Sequence, residues 1–171
     1  MPMILKMLHE GGMPLDLVYM VSAESNFNVR ARSNKSAVGL WQFIASTGRL
    51  YGLKINRWID ERRDPILSTK AAITFLKHLY GLFGDWELAM AAYNTGEGRV
   101  KRAIELAKRK GQKHNFSSLR LPRETRNYVP AIMALSVIYK NPERYGFGHV
   151  KKMKPLDETL GSLPVAFSLE E

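Results

Sequence analysis

Apolar residues recur at threes and fours along nearly the whole chain, and strand-like alternation is scarce. That spacing puts them on one side of an α-helix. A first short helix is predicted over 4–10, ended by Gly11-Gly12, and Pro14 opens a second helix on which Leu17, Met20, Val21 and Glu24 share one face. Residues 26–38 have no period; Asn28, Ser33, Asn34 and Ser36 favour turns there, and any small β-hairpin belongs to this loop. A short helix follows over 41–51, closed by Gly52. Asp64-Pro65, an N-cap acceptor before a proline, starts a helix that runs to about Phe83 and stops at Gly84. Its apolar positions are Ile66, Ala72, Ile73, Leu76, Leu79, Tyr80 and Phe83. Asp85 caps a helix over 86–93, the break Asn94-Thr95-Gly96-Glu97-Gly98 follows, and a basic amphipathic helix ends at Gly111. The last helix, 123–139, carries Tyr128, Ile132, Leu135 and Tyr139 on one stripe. Pro130 should bend it, because it withdraws the amide that would bond to Arg126.

The predicted fold is therefore mainly α, with at most a small β-hairpin. A chain of 171 residues suits one domain and can bury about two thirds of its unfolded surface. That domain is read as residues 1–145; beyond them, 146–171 mixes prolines, glycines and charges without a period and reads as a tail or the start of a linker. No cysteine is present, so disulfide and thiolate chemistry are excluded. The first residues lack the basic and apolar regions of a secretory signal, and no stretch approaches the ~18 apolar residues of a membrane span. As it stands the chain reads as a soluble domain. Its net charge of +10 favours an acidic partner, although dispersed lysines and arginines equally describe a solvated helix face.

Glu24 changes the picture most. A carboxyl aimed where the apolar residues point is hard to ionise, so its pKa should rise and it can hold a proton near neutral pH, as a general acid must. Taken alone, it could equally be a solvated glutamate in the last turn of a helix. Other chemistries fit less well. His9, His78, His114 and His149 lack ligand spacing for zinc, there is no GxSxG elbow, and Gly96-Glu97-Gly98 is no phosphate loop. No metal and no cofactor are expected. Ser25, Gln42 and Asn94 can bond neutral polyols, while Trp41 and Tyr93 offer flat faces to sugar rings or are simply core aromatics. The combination suits a carbohydrate.

Glu24-Ser25, Gly39-Leu40-Trp41-Gln42, Ala92-Tyr93-Asn94 and Tyr128-Val129-Pro130 resemble, in order and spacing, the four motifs of the family 1 lytic transglycosylases, the SLT domain. The resemblance covers about residues 14–145. Trp41 departs from the methionine usual in the second motif and, with AAYNTGEGRV, LPRETRNYVP and NPERYG, is similar to one subgroup. The resemblance implies a lysozyme-like fold of the goose-type kind. It also implies cleavage of the β-1,4 bond between N-acetylmuramic acid and N-acetylglucosamine, with a 1,6-anhydro product. Glu24 would act as acid and then base, Tyr128 would lie against its carboxyl, and Ser25, Gln42, Tyr93 and Asn94 would line the glycan cleft, with Trp41 as a wider apolar wall. The implied partners are peptidoglycan glycan strands and no nucleic acid, for a monomer in the bacterial cell envelope, on its periplasmic face. Members of that subgroup are exported and often membrane-anchored, so the chain is read as a trimmed catalytic fragment.

A glycosidase with separate acid and base needs a second carboxyl within ~5–10 Å of the first. None occurs between Asn26 and Ile59, and Asp60, Glu61, Asp64, Asp85 and Glu97 sit mostly where caps and loop charges sit. One carboxyl acting twice is consistent with this. The alternatives are a goose-type-like muramidase, with water as acceptor, and a peptidoglycan-binding domain without turnover.

Overall fold

The computed structural model describes residues 1–149, so the tail expected over 146–171 lies from residue 150 onward outside the described residues. Among the described residues seven α-helices run α1 (Pro2–Glu10), α2 (Val18–Ser25), α3 (Ala45–Leu50), α4 (Pro65–Phe83), α5 (Trp86–Thr95), α6 (Glu97–Arg109) and α7 (Arg123–Lys140). Local signals set most of these bounds. The Asp64 carboxylate accepts the amides of Ile66 and Leu67 at 2.8 and 2.7 Å, and Gly84 ends α4 in the left-handed conformation at φ 63°. Asp85 accepts the amide of Leu88 at 2.8 Å and starts α5. No helix among the described residues is long and apolar enough to cross a membrane.

Helix α5 is the centre of the molecule, packed against α4, α6 and α7. Leu88, Ala89, Met90, Ala91 and Ala92 are all buried, and the three alanines let neighbouring backbones approach closely. Helix α2 lies against α7, which brings the end of α2 close to a residue more than a hundred positions away.

Several expectations are corrected. The helix expected from Pro14 is split: Leu15–Leu17 form a 3-10 turn before α2 begins. The helix expected over 41–51 starts only at Ala45. Residues 38–43 instead form a tight reversal in which the Val38 amide bonds the Phe43 carbonyl at 3.1 Å and Gln42 takes φ 47°. No ladder forms in 26–38; isolated bridges join Arg32 to Val38, Val38 to Phe43 and Ile55 to Asp60. On α4, Ile66 and Tyr80 are exposed while Ser68 and Thr69 are fully buried. The cause is a buried partner: Thr69 Oγ1 accepts the Trp41 indole N–H at 2.9 Å and donates to the Pro65 carbonyl at 2.6 Å. Tyr139 of α7 is likewise half-exposed, its ring lying 5.2 Å from that of Tyr19.

The reversal is held from below by Arg62, whose side chain is 9% exposed. Its guanidinium grips Asp60 through Nε and Nη2, at 2.8 and 2.7 Å, and donates from Nη1 to the carbonyls of Ser36 and Phe43, each at 3.0 Å. This bidentate fork holds the Asp60 carboxyl below its usual range. Both ends of the reversal are thereby tied to one charge pair.

Gly39 sits where this segment crosses Arg62. Its φ is 82°, and a Cβ there would lie 1.9 Å from the Arg62 carbonyl oxygen. Gly39→Ala should therefore cost more than the ~1–3 kcal/mol of a left-handed non-glycine residue alone, read as a fall in the urea unfolding midpoint.

Candidate active site

The site begins where α2 ends. Asn26 and Phe27 both take positive φ, 50° and 60°, turning the chain away immediately after Glu24 and Ser25. Two consecutive left-handed residues that are not glycine are costly, and such strain concentrates at functional sites. Glu24 is left at the edge of a cleft of about 660 Å³. Of the residues singled out in the sequence, the cleft is lined by Glu24, Gln42, Tyr93 and Asn94.

Tyr128 and Ser25 stand behind the cleft lining. The Tyr128 hydroxyl donates to Glu24 Oε1 at 2.7 Å, so a proton carried by Glu24 belongs on Oε2. The Ser25 hydroxyl donates to the Leu40 carbonyl at 2.8 Å and so clamps the end of α2 to the reversal. Trp41 is corrected outright. It is fully buried, its N–H spent on Thr69, and it forms no cleft wall. The apolar wall is made instead by Phe43, Ile44, Phe75 and the ring of Tyr93, with the Phe75 and Tyr93 rings 5.1 Å apart. Trp41 contributes its backbone: its carbonyl accepts the Tyr93 hydroxyl at 2.7 Å.

The polar side chains of the cleft are pre-oriented. Gln42 Nε2 donates to the Gly39 carbonyl at 2.8 Å and more weakly to that of Ala31 at 3.3 Å, directing Oε1 to the other side of the amide. Buried Thr125 donates to Asn94 Oδ1 at 2.7 Å, which leaves the Asn94 NH₂ as a donor to a ligand.

Glu24 has its pKa raised from 4.5 to about 7, first by burial, then by the negative charge of Glu124; the Tyr128 hydrogen bond opposes the rise. Glu124 is the residue sequence reading missed. It lies in the first turn of α7, four positions before Tyr128, and that helical spacing was the available signal. Among the described residues, Glu24 and Glu124 are the two carboxylates lining the cleft, and Glu124 Oε2 is 3.5 Å from Lys35 Nζ, which reaches it from the 26–38 loop. The carboxylates weighed earlier all have structural partners. Asp60 holds Arg62, Glu61 accepts the Lys54 amide, Asp64 and Asp85 cap helices, and Glu97 bonds His78 and Lys101 at 3.0 and 2.9 Å.

The raised pKa fixes a stability profile. Between pH 4.5 and about 7 the folded protein holds a proton on Glu24 that the unfolded chain has released, so stability falls as pH rises through that window. Glu24→Gln escapes this loss. At about pH 8 the variant should be more stable than the parent by a few kcal/mol at most, at roughly 1.4 kcal/mol per pKa unit. Below about pH 4 the two should melt alike. Melting temperatures measured across that range decide it, and a gap that fails to widen with pH removes the buried acid.

The transglycosylase SLT domain model matches residues 2–116. The chain is 51% identical over 135 residues to membrane-bound lytic murein transglycosylase D of Escherichia coli, a match covering 78% of this chain and 30% of that protein. It is 36% identical over 121 residues to the peptidoglycan transglycosylase of Escherichia phage T7, covering 69% of the chain and 9% of that protein. The chain thus spans less than a third of the length of these relatives. The 70 kDa soluble lytic transglycosylase of Escherichia coli superposes with a TM-score of 0.62 at 25% identity, over 85% of this chain and 24% of that one. An inactive mutant of lytic transglycosylase Slt from Pseudomonas aeruginosa gives the same TM-score at 23% identity, over 84% of this chain and 24% of that one, and supports the lysozyme-like fold. With the model matching well over half its length, this chain belongs to the transglycosylase SLT domain family.

Proposed function

We propose that the domain is a peptidoglycan lytic transglycosylase, cleaving the β-1,4 bond between N-acetylmuramic acid and N-acetylglucosamine in the bacterial envelope. The observation that carries this reading is the pairing of Glu24, with a pKa of about 7, and the Tyr128 hydroxyl at the edge of a cleft walled by aromatic rings and donors. The names of the relatives point to the same substrate.

Glu24 gives its Oε2 proton to the glycosidic oxygen as the bond to C1 of N-acetylmuramic acid breaks, and the N-acetylglucosamine side leaves with a new hydroxyl. The carboxylate then takes the proton of the C6 hydroxyl of the same muramoyl ring while that oxygen bonds to C1. No water is added, and Glu24 ends protonated as it began. Tyr128 fixes which oxygen carries the proton; Asn94 and Gln42 orient the sugar substituents, and Phe43, Phe75 and Tyr93 receive the ring faces. The internal hydroxyl has the advantage over water that effective molarity describes.

Glu124, paired with Lys35, adds to the rise in the Glu24 pKa that burial begins. It is also the group that a muramidase would use to activate water. The product decides between transglycosylase and muramidase. Muropeptides released from purified peptidoglycan should end in 1,6-anhydro-N-acetylmuramic acid, lighter by one water than hydrolytic products and resistant to borohydride at that end. Dominant reducible ends would overturn the transglycosylase reading and direct attention to Glu124.

Tyr128→Phe should lower kcat with a much smaller change in KM, because the lost contact serves the reacting group. The hydrogen bond it removes holds the Glu24 pKa down, so the alkaline limb of the pH–rate profile should move to higher pH. A profile that stays in place makes Tyr128 a packing residue only.

A further inference from the structure

The turn joining α3 to α4 displays apolar surface that no part of the cleft uses. Residues 54–61 fold back on themselves: the Glu61 amide bonds the Lys54 carbonyl at 3.0 Å, Ile55 bridges Asp60, and the Asn56 amide bonds the Ile59 carbonyl at 2.8 Å. Asn56 Oδ1 accepts the amides of Trp58 and Ile59, both at 2.8 Å, and Arg49 Nη2 ties the Ile55 carbonyl to the end of α3 at 3.0 Å. The turn is thus closed by its own hydrogen bonds. Yet Trp58 at its tip is 82% exposed, Ile59 48%, and Leu50 at the end of α3 77%. The guanidinium of Arg57 lies 5.0 Å from the Trp58 ring centroid.

We propose that this turn docks the domain on an anionic phospholipid surface. An indole flanked by aliphatic side chains settles at the boundary between headgroups and acyl chains, and cations beside it meet the phosphates. The charge is of the required sign. From Arg49 to Arg63 there are five cations and two carboxylates; Asp60 is held by the buried Arg62, and Glu61 takes the Lys54 amide. Arg57, stacked on Trp58, delivers a guanidinium where the ring enters. A glycan is the poorer occupant. The polar atoms beside the ring are mostly cationic, while Asn56 Oδ1 and Glu61 Oε2 accept backbone amides and the exposed Leu50 and Ile59 offer a polyol nothing. Because the turn is already ordered, docking loses little conformational entropy.

The full chain, mixed with sedimenting vesicles of phosphatidylglycerol and phosphatidylethanolamine, should bind them with a blue shift of tryptophan emission, bind less as salt rises, and ignore pure phosphatidylcholine. Trp58→Ser should lower partitioning roughly tenfold or more, as expected for losing a largely buried indole, and abolish the shift. Lys54→Gln and Arg57→Gln should each cost about fivefold. None of the three should change the melting temperature or the cleavage of soluble glycan fragments, since these residues lie outside the cleft lining; that separates this proposal from the cleft chemistry. Absence of vesicle binding by the parent chain, or binding undiminished in Trp58→Ser, overturns the proposal. So does a Trp58→Ser variant that keeps its vesicle affinity and loses affinity for lipid-free sacculi, which would make the turn a glycan contact.

Discussion

The backbone from Ala37 to Phe43 is largely buried, and its carbonyls need partners there. A buried carbonyl left without one costs about as much as a lost hydrogen bond, so the surrounding elements are arranged to supply donors. Arg62 takes Ser36 and Phe43, Ser25 takes Leu40, and Tyr93 takes Trp41. Those donors come from the turn before α4, from the end of α2 and from α5, so satisfying one short segment fixes three parts of the molecule relative to one another. The Trp41 side chain adds α4 through Thr69. Gly39 is required because the crossing leaves no room for a side chain.

That arrangement gives Glu24 its chemistry. The carboxyl sits one residue before the Ser25 clamp, so the backbone that carries it is fixed by that segment, while its own oxygen is held by Tyr128. Burial raises its pKa to about 7, and Tyr128, reaching across from α7, limits the rise and selects the oxygen that carries the proton. Glu124, on the same helix one turn earlier, pushes the other way. Helix α7 therefore both stabilises and opposes the charge of Glu24, and the balance leaves the acid poised near neutral pH, where proton donation and proton removal are both accessible.

The charges divide along the same lines. Buried or half-buried carboxylates hold helix starts, turns and the Arg62 fork, whereas the surplus of cations is spread over exposed surface. A field of that kind favours approach to an anionic polymer or surface and is weakened by salt. At the turn carrying Trp58 it coincides with exposed apolar side chains, and there alone does the fold combine a rigid backbone with a tryptophan left in water.

What the sequence determined by itself was local. Period and caps placed α4 from Asp64-Pro65 to Gly84 and started α5 at Asp85, because an N-cap acts within three residues and a helical stripe repeats within four. The same reasoning put Glu24 at the end of an apolar face, and the ordered motifs identified the family. Tertiary structure decided which way each loop side chain faces. Trp41 turned inward because Thr69, 28 positions later, offers its N–H an acceptor; Phe43 and Phe75 became the wall in its place. Arg62 entered the interior through partners on other elements, whereas Glu124 reached the cleft from the same face of α7 as Tyr128. No periodicity reports such bonds, because their partners lie dozens of residues apart and meet only once the helices have packed.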